Sequence, residues 1–529
     1  VLLSVSAQAQ TALNNVYDFC DDGIKSSNCF ASIADDDALI VAGHTQSQGF
    51  SNLRCYIAAL DYNGNVKSRR NLYGPGNVNL LIGGFAERVA QPLAKIGPDK
   101  YVLVGNQWDN TANTRIPVYQ PFLFFFNKNC DSLGMVKYTD TIVSREPYSV
   151  IWDGNNIVVA GLESSSKIHW DPTQSEYRWD SCHIWIAKYD QQGGQVWSKR
   201  IVINKNQYSM KYLGFPSAFR IVASSDGQSY VVTGAAYNKD KLDFDGFITK
   251  VDLNGEVIWT KFLPKEHAAG GYFDITSLKN GGYGFCASFA EKPLTIFNPH
   301  DTHVYYGKLD ENGDTLWTKH FRKDTLGSDG YNIAETENND LIIHYKYYYH
   351  NRRSAAIRTT PGGNIKWHRT YHYRDTPAYD NMMACLSYTP TKQVFLGGDF
   401  IAQSAIPGFN DSVGLYSWFV LTDTFGCIEP GCQVGDTVWW LTDVNEVAAR
   451  PVEISMYPNP ATNSLHIVLP LGETGVQAQL LDITGRVLMV KDLQAGKNML
   501  DVAHLLPGNY ILKLYKDGIT MTTNRVTKQ

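Results

Sequence analysis

Several things are missing from this 529-residue chain, and each absence removes a class of function. It has no sustained basic run and a formal net charge of −5, whereas nucleic-acid phosphates demand a positive face, so nucleic-acid binding is excluded. No apolar run approaches the roughly 18 residues that a membrane-spanning helix requires; the longest notable one, Phe122 to Phe126, has the length of a strand. Neither a G-x-S-x-G elbow nor an H-E-x-x-H helix occurs, which removes the two most compact hydrolase signatures. Cysteine is sparse and odd in number, at nine. Cys20 with Cys29, and Cys427 with Cys432, are close enough in sequence to pair in an oxidising compartment, although spacing leaves connectivity open. Cys55, Cys286 and Cys385 read as small buried apolar residues.

What is present is a core-forming composition, with 43% hydrophobic and 12% aromatic residues. Self-similarity organises it. Turns of the type D-x-N-G recur with their last residues at Gly64, Cys130, Gly193, Gly255, Gly313, Gly363 and Gly426, about 60 residues apart. These read as hairpin turns in which Gly takes positive φ. One unit predicts four strands, A over 220–223, B over 230–235, C over 247–252 and D over 256–262. Trp197, Trp259, Trp317 and Trp367 each follow a turn by four positions, the place for residues packed between neighbouring sheets. Seven such units without helices predict a seven-bladed β-propeller over residues 11–440. The last unit lacks an apolar strand D after Gly426, and residues 13–19 are expected to fill that place and close the ring.

The ends read differently. Residues 1–10, VLLSVSAQAQ, have the pattern of an apolar signal-peptide core followed by Ala7-Gln8-Ala9, a small-x-small cleavage pattern. Residues 441–453 are small, polar and irregular, as a linker would be. From residue 454 onward, period-two stretches at 465–469, 487–490 and 510–515 alternate with turn chemistry and predict an immunoglobulin-like sandwich of about seven short strands. Four motifs occur there in order: Tyr457-Pro458-Asn459-Pro460, Leu481-Asp482 with Gly485-Arg486, Leu506 with Gly508-Asn509-Tyr510, and the basic stretch from Arg525 to Lys528. In that order and spacing, residues 454–529 resemble the type A C-terminal sorting domain of the type IX secretion system of Bacteroidota. The resemblance implies an all-β protein carried across the outer membrane. Its implied partners are the translocon, shuttle and sortase of that system, with the tail removed after passage. The repeats over about 16–433 also resemble the propeller-like units of Bacteroidota surface proteins, which implies a scaffold and names no activity.

Sequence places candidate chemistry on the B-C connections, which run to roughly 20 to 30 residues while the A-B turns stay short. The longest excursion, 162–182, carries His169, Trp170, Tyr177 and Trp179; others bring Trp108 and Tyr119, then His300 and His303, then Phe409 and Tyr416. Aromatic faces beside polar groups suit a glycan or a protein ligand. The alternative is a polysaccharide-acting hydrolase or lyase at the same rim, its carboxylates assembled from different units. Asp35-Asp36-Asp37 reads as a solvated A-B turn. No cofactor is expected, except that Asp240, Asp243 and Asp245 form an acidic group that could take calcium.

Overall fold

The computed structural model describes residues 12–20, 26–46, 53–73, 78–81, 91–109, 119–139, 143–165, 168–171, 176–179, 182–202, 217–238, 243–263, 268–290, 302–322, 327–349, 351–373, 381–402, 414–428, 455–469, 475–482, 487–516 and 519–529. Among these residues every regular element is a strand, and two compact units hold them, the larger mainly within 12–428 and the smaller mainly within 455–529. Among the described residues no helix is long and apolar enough to cross a membrane.

In the larger unit each repeat of the sequence becomes an antiparallel sheet. The first sheet is Ser27–Ala34, Leu39–Gln46, Leu53–Leu60 and Val66–Leu72, hydrogen-bonded in that order. The second centres on Leu93–Gly97, Lys100–Asp109, Gln120–Phe126 and Ser132–Lys137, with Val78–Leu81 as an additional partner of Lys100–Asp109. The third is Val143–Trp152, Ile157–Ser165, Cys182–Tyr189 and Gln195–Ile201; the fourth is Ser217–Ala223, Ser229–Asn238, Asp243–Asp252 and Val257–Phe262. The fifth is Ala268–Ser277, Tyr283–Ala290, Thr302–Leu309 and Thr315–Phe321; the sixth is Ser328–Glu335, Leu341–Tyr349, Asn351–Thr359 and Ile365–Tyr371. The seventh is Asn381–Tyr388, Val394–Ala402 and Gly414–Leu421, and its fourth strand is Leu13–Tyr17 from the start of the chain. The register runs from Leu13 opposite Leu421 to Tyr17 opposite Ser417, so the N-terminal segment takes the place that sequence left vacant.

Burial explains the strand patterns. Tyr283–Ala290 is buried along its whole length, as a strand covered on both faces must be, whereas the outermost Val257–Phe262 is half-exposed to exposed. The first strands of successive sheets pack on one another, from Ser27–Ala34 through each neighbour to Asn381–Tyr388, which in turn packs on Ser27–Ala34. Polar links join the same strands. Ile221 N–H donates to Ser149 Oγ (3.2 Å), Ile333 N–H donates to Asp274 Oδ2 (3.0 Å), and Ser32 and Ser387 hydroxyls meet at 2.8 Å. The first strand of six sheets carries a one-residue bulge, placing Phe30, Ile96, Tyr148, Phe219, Tyr331 and Ala384 outside the ladder. This extra residue breaks the alternation. It explains why strand A of the fourth sheet runs over Ser217–Ala223 instead of the shorter stretch that sequence suggested.

The repeated turns tie sheet to sheet. Gly64, Gly193, Gly255, Gly313, Gly363 and Gly426 have φ between +73° and +90°, and Cys130, at the one non-glycine turn, also has positive φ at 61°. A Cβ built on Gly313 would lie 2.5 Å from Cη2 of Trp259, and the same geometry sets Gly255 against Trp197 and Gly426 against Trp367. The tryptophans thus pack on the turn of the following sheet, as their spacing predicts. At Gly64 the same role falls to Leu13 and Tyr17, and Tyr17 Oη donates to Gly64 O at 2.8 Å. The turn aspartates cap their own backbone: Asp61 Oδ1 accepts from Asn63 N–H (3.0 Å) and Asn65 N–H (2.8 Å).

One turn departs from expectation. Asp35 is not solvated; it is buried and pairs with Lys95 Nζ at 2.5 Å while accepting from the Tyr101 hydroxyl of the second sheet. Asp153 repeats the arrangement with Lys188 (3.2 Å) and Tyr230 (2.5 Å). Burial alone would raise the Asp35 carboxyl, but the bonds from Lys95 and Tyr101 hold it below its ordinary value.

The smaller unit has seven strands in two sheets: Ser455–Tyr457, Ser464–Leu469 and Gly496–Asp501 in one, and Val487–Leu493, Val476–Leu481, Gly508–Lys516 and Ile519–Lys528 in the other. Leu465, Ile467, Leu480, Leu512 and Leu514 fill the space between them.

Candidate functional site

The longest excursion of the larger unit leaves the third sheet between Ile157–Ser165 and Cys182–Tyr189, and it contains a hairpin of its own. Ile168–Asp171 pairs with Glu176–Trp179 in the register 168 with 179, 169 with 178, 170 with 177 and 171 with 176. Because strand residues alternate faces, positions 168, 170, 177 and 179 share one face and carry Ile, Trp, Tyr and Trp. Positions 169, 171, 176 and 178 share the other and carry His, Asp, Glu and Arg. His169, Trp170, Tyr177 and Trp179 thus belong to one hairpin, with the three larger aromatics at positions of a single face.

At the end of the third sheet nearest this hairpin lies a group of charges that sequence reasoning did not single out. Glu163 is buried and sits opposite both Arg145 and His183 in the ladder. Arg145 Nε donates to Glu163 Oε2 at 2.7 Å, and Arg200 Nε donates to Oε1. The Arg145 guanidinium also lies over the Trp185 ring, 5.8 Å from its centroid, while Trp185 Nε1 donates to Ser198 Oγ at 2.8 Å. Two guanidinium groups therefore neutralise the one carboxylate on this face. The neighbouring Glu146 pairs with Leu162 in the ladder and so belongs to the opposite face. It is buried, receives the Tyr148 hydroxyl at 3.4 Å, and has an Oε1 with no hydrogen-bond partner among the described residues. Burial pushes this carboxyl up to about 8, so it is largely neutral at pH 7. The signal was visible in the sequence as adjacent charges, Arg145-Glu146, inside an otherwise uncharged inner strand.

Other candidates fall elsewhere. Tyr119 precedes the strand Gln120–Phe126; its N–H donates to Ser144 Oγ at 2.9 Å, and burial first, then the charge of Glu146, raises its phenol. Trp108 lies in Lys100–Asp109, opposite Asn79. His303 is buried in the fifth sheet, stacked on Phe289 (4.7 Å) and edge-on to His320 (5.4 Å), a core position instead of a rim. Tyr416 is likewise core. His300, Phe409 and Asp240 lie outside the described residues. Asp245 is buried and accepts from Asn238 Nδ2 at 2.7 Å, and among the described residues no group of three His, Cys, Asp or Glu could hold a metal ion.

The cysteines also need correction. Cys20 and Cys29 do not form a disulfide; Cys29 lies across from Cys385 instead, with Sγ atoms 3.7 Å apart. Cys427 is disulfide-bonded, and Cys432 lies outside the described residues.

In the smaller unit the motif residues are joined to the last strand. Asn459 Nδ2 donates to Arg525 O (2.8 Å) and its Oδ1 accepts from Thr527 N–H (2.8 Å), between the cis peptides Tyr457-Pro458 and Asn459-Pro460. Arg525 donates from Nε (3.1 Å) and Nη2 (2.9 Å) to Asn509 Oδ1, and Tyr510 Oη donates to Leu506 O at 2.7 Å. The Tyr457 ring lies 5.5 Å from His466 and under Lys497. Gly508 opens the strand that ends at Lys516, Asp482 follows Val476–Leu481, and Gly485 and Arg486 lie outside the described residues. Residues 455–529 match the family of secretion system C-terminal sorting domains.

The protein is a type IX secretion cargo. This sorting-domain cargo is exported across the outer membrane to the cell surface or the extracellular space, and its tail engages the secretion machinery. No curated protein sequence matches the chain. Among solved structures it is similar to an acylaminoacyl peptidase at 10% identity and TM-score 0.40, covering 85% of this chain and 59% of the peptidase. PorZ, a surface component of the type IX secretion system of Porphyromonas gingivalis, aligns at 9% identity and TM-score 0.19 over 96% of this chain and 99% of its own. A subtype N11 neuraminidase-like protein from a flat-faced bat isolate aligns at 8% identity and TM-score 0.33, over 79% and 94%. At these scores none of the three carries an activity to the cargo.

Proposed function

We propose that the exported body is a seven-bladed β-propeller that binds a glycan or protein ligand outside the cell through the loop end of its third sheet. The propeller reading rests on the unbroken succession of inner-strand contacts, with the N-terminal strand completing the last sheet. The single observation that carries the binding reading is the hairpin register, which sets Trp170 opposite Tyr177 and Trp179 opposite Ile168, residue types suited to a sugar ring or an apolar side chain. The charges beside it favour recognition over hydrolysis. Glu163 is consumed by Arg145 and Arg200, and Glu146 belongs to the opposite face, so this pair of carboxyls does not converge on one bond.

The test uses the exported protein on glycan and protein arrays, beside a panel of polysaccharides scored for cleavage. Binding that disappears in Trp170→Ala with Trp179→Ala, while the fold is kept, supports the reading. Polysaccharide turnover abolished by Glu146→Gln, with no array signal, would replace it with the hydrolase reading, in which the neutral Glu146 serves as the acid.

A further inference from the structure

The seam between the first and last sheets holds a pair of thiols that no other part of the reading uses. Cys29 lies on Ser27–Ala34 and Cys385 on Asn381–Tyr388, 356 residues apart in sequence, and their Sγ atoms approach to 3.7 Å. Both are buried, inside a cluster with Phe19, Tyr56, Phe395 and Phe419 that draws on both sheets. A glycine makes the room: a Cβ on Gly397 would stand 2.9 Å from the Cys385 sulfur and 3.0 Å from that of Cys29. Each thiol also has a long contact to a carbonyl, Cys29 to Ala31 O and Cys385 to Gly397 O, both at 3.5 Å, and a side-chain neighbour, Tyr56 for Cys29 and Ser32 for Cys385.

We propose that Cys29 and Cys385 are a disulfide site that staples the first sheet to the last during passage through the oxidising cell envelope. Bond formation requires the sulfurs to close from 3.7 Å to about 2 Å. The oxidant is a disulfide-carrying protein of the envelope. One cysteine thiolate attacks the donor disulfide to give a mixed disulfide, and the second thiolate displaces the donor. The cargo gains one S–S bond, and the donor leaves with two thiols. Once the sheets meet, the pair is shut away from any donor, and burial pushes the Cys29 thiol above its ordinary value. Oxidation therefore belongs to the step at which the chain ends come together, and the finished staple resists reductant while the body stays folded. The pair is buried at a different place in the fold from the third-sheet hairpin, so its oxidation does not depend on what the loops bind.

The experiment maps thiols in the exported wild-type chain. Cells and medium are quenched with acid, and the protein is denatured, alkylated with N-ethylmaleimide and digested for mass spectrometry. The expected result is one peptide pair joining Cys29 to Cys385, free of maleimide and lighter than the sum of its reduced parts by about 2 Da for the two hydrogens lost on oxidation. Prior reduction under denaturing conditions should restore label at both. Reduction of the native protein should not. Maleimide on both residues in the quenched sample overturns the proposal, as does either residue joined to a different cysteine. In Cys385→Ser the cross-linked pair should vanish and Cys29 should take up the label; Cys29 found joined elsewhere in that variant would mean that proximity in the seam does not select its partner.

Discussion

Replacing Gly313 by Ala tests how the sheets are fastened to one another. The residue sits at φ +73°, where an L side chain costs about 1–2 kcal/mol, and its new Cβ would lie 2.5 Å from Cη2 of Trp259, a clash of the kind that costs about 1–3 kcal/mol. The expected total is therefore about 2–5 kcal/mol. Gly227 supplies the control: its φ is +66°, but a Cβ there meets nothing within 4 Å, so only the backbone cost of about 1–2 kcal/mol applies. The gain from a less flexible unfolded chain, about 0.4–1 kcal/mol, is common to both and cancels in the comparison. Urea unfolding midpoints, followed by tryptophan fluorescence and by circular dichroism, should place Gly313→Ala below Gly227→Ala by the equivalent of about 1–3 kcal/mol. In a Trp259→Leu background the gap should shrink to within about 0.5 kcal/mol, because the clashing ring is gone. Equal midpoints for the two glycine variants, or a gap that survives loss of the ring, would refute the claim that strand-D tryptophans pack on the turn of the following sheet.

Three further outcomes are expected. Asp35→Asn should cost about 1–3 kcal/mol in urea unfolding, since it strips the carboxylate from Lys95 and Tyr101, whereas exposed Asp37→Asn should stay within about 1 kcal/mol; equal losses would return Asp35 to an ordinary solvated turn. Glu146 holds a proton up to about pH 8 when folded, against about 4.3 when unfolded, so between those values the folded chain binds the extra proton and stability falls as pH rises, by about 1.4 kcal/mol per unit. That contribution is complete below the unfolded value; Glu146→Gln should flatten the slope, and an unchanged slope would show that another group sets it. Asn459→Ala removes two bonds to the last strand of the sorting domain and should leave the body folded but retained in the periplasm, as deletion of residues 455–529 should; immunoblots of periplasm, surface and medium decide, and normal export of the point variant would deny Asn459 that role.

The features legible in the sequence were those that repeat at short range. A hairpin turn is specified by four consecutive residues, so all seven turns announce themselves, and even the non-glycine one adopts positive φ at Cys130 because the same ladder closes around it. The missing strand after Gly426 was equally readable as an absence, and Leu13–Tyr17 fills it. Partners across a sheet boundary were not legible, because period-two alternation tells which face a residue occupies and not what faces it. Asp35 looks like part of an exposed acidic turn until Lys95 and Tyr101, 60 and 66 residues away, are brought to it. Cys29 has Cys20 nine residues before it, yet the fold gives it Cys385. His303 reads as a loop histidine, but the strand Thr302–Leu309 begins one residue earlier and draws the ring into the core. The candidate site shows both sides of this limit. Alternation within residues 168–179 already encodes a two-faced hairpin, whereas the sharing of Glu163 between Arg145 and Arg200 depends on four strands lying side by side, with Cys182–Tyr189 between the strands of Glu163 and Arg200. A charge pattern of that kind becomes visible only after the order of the strands is known, and the same order separates Glu163 from Glu146, the fact on which the choice between binding and hydrolysis turns.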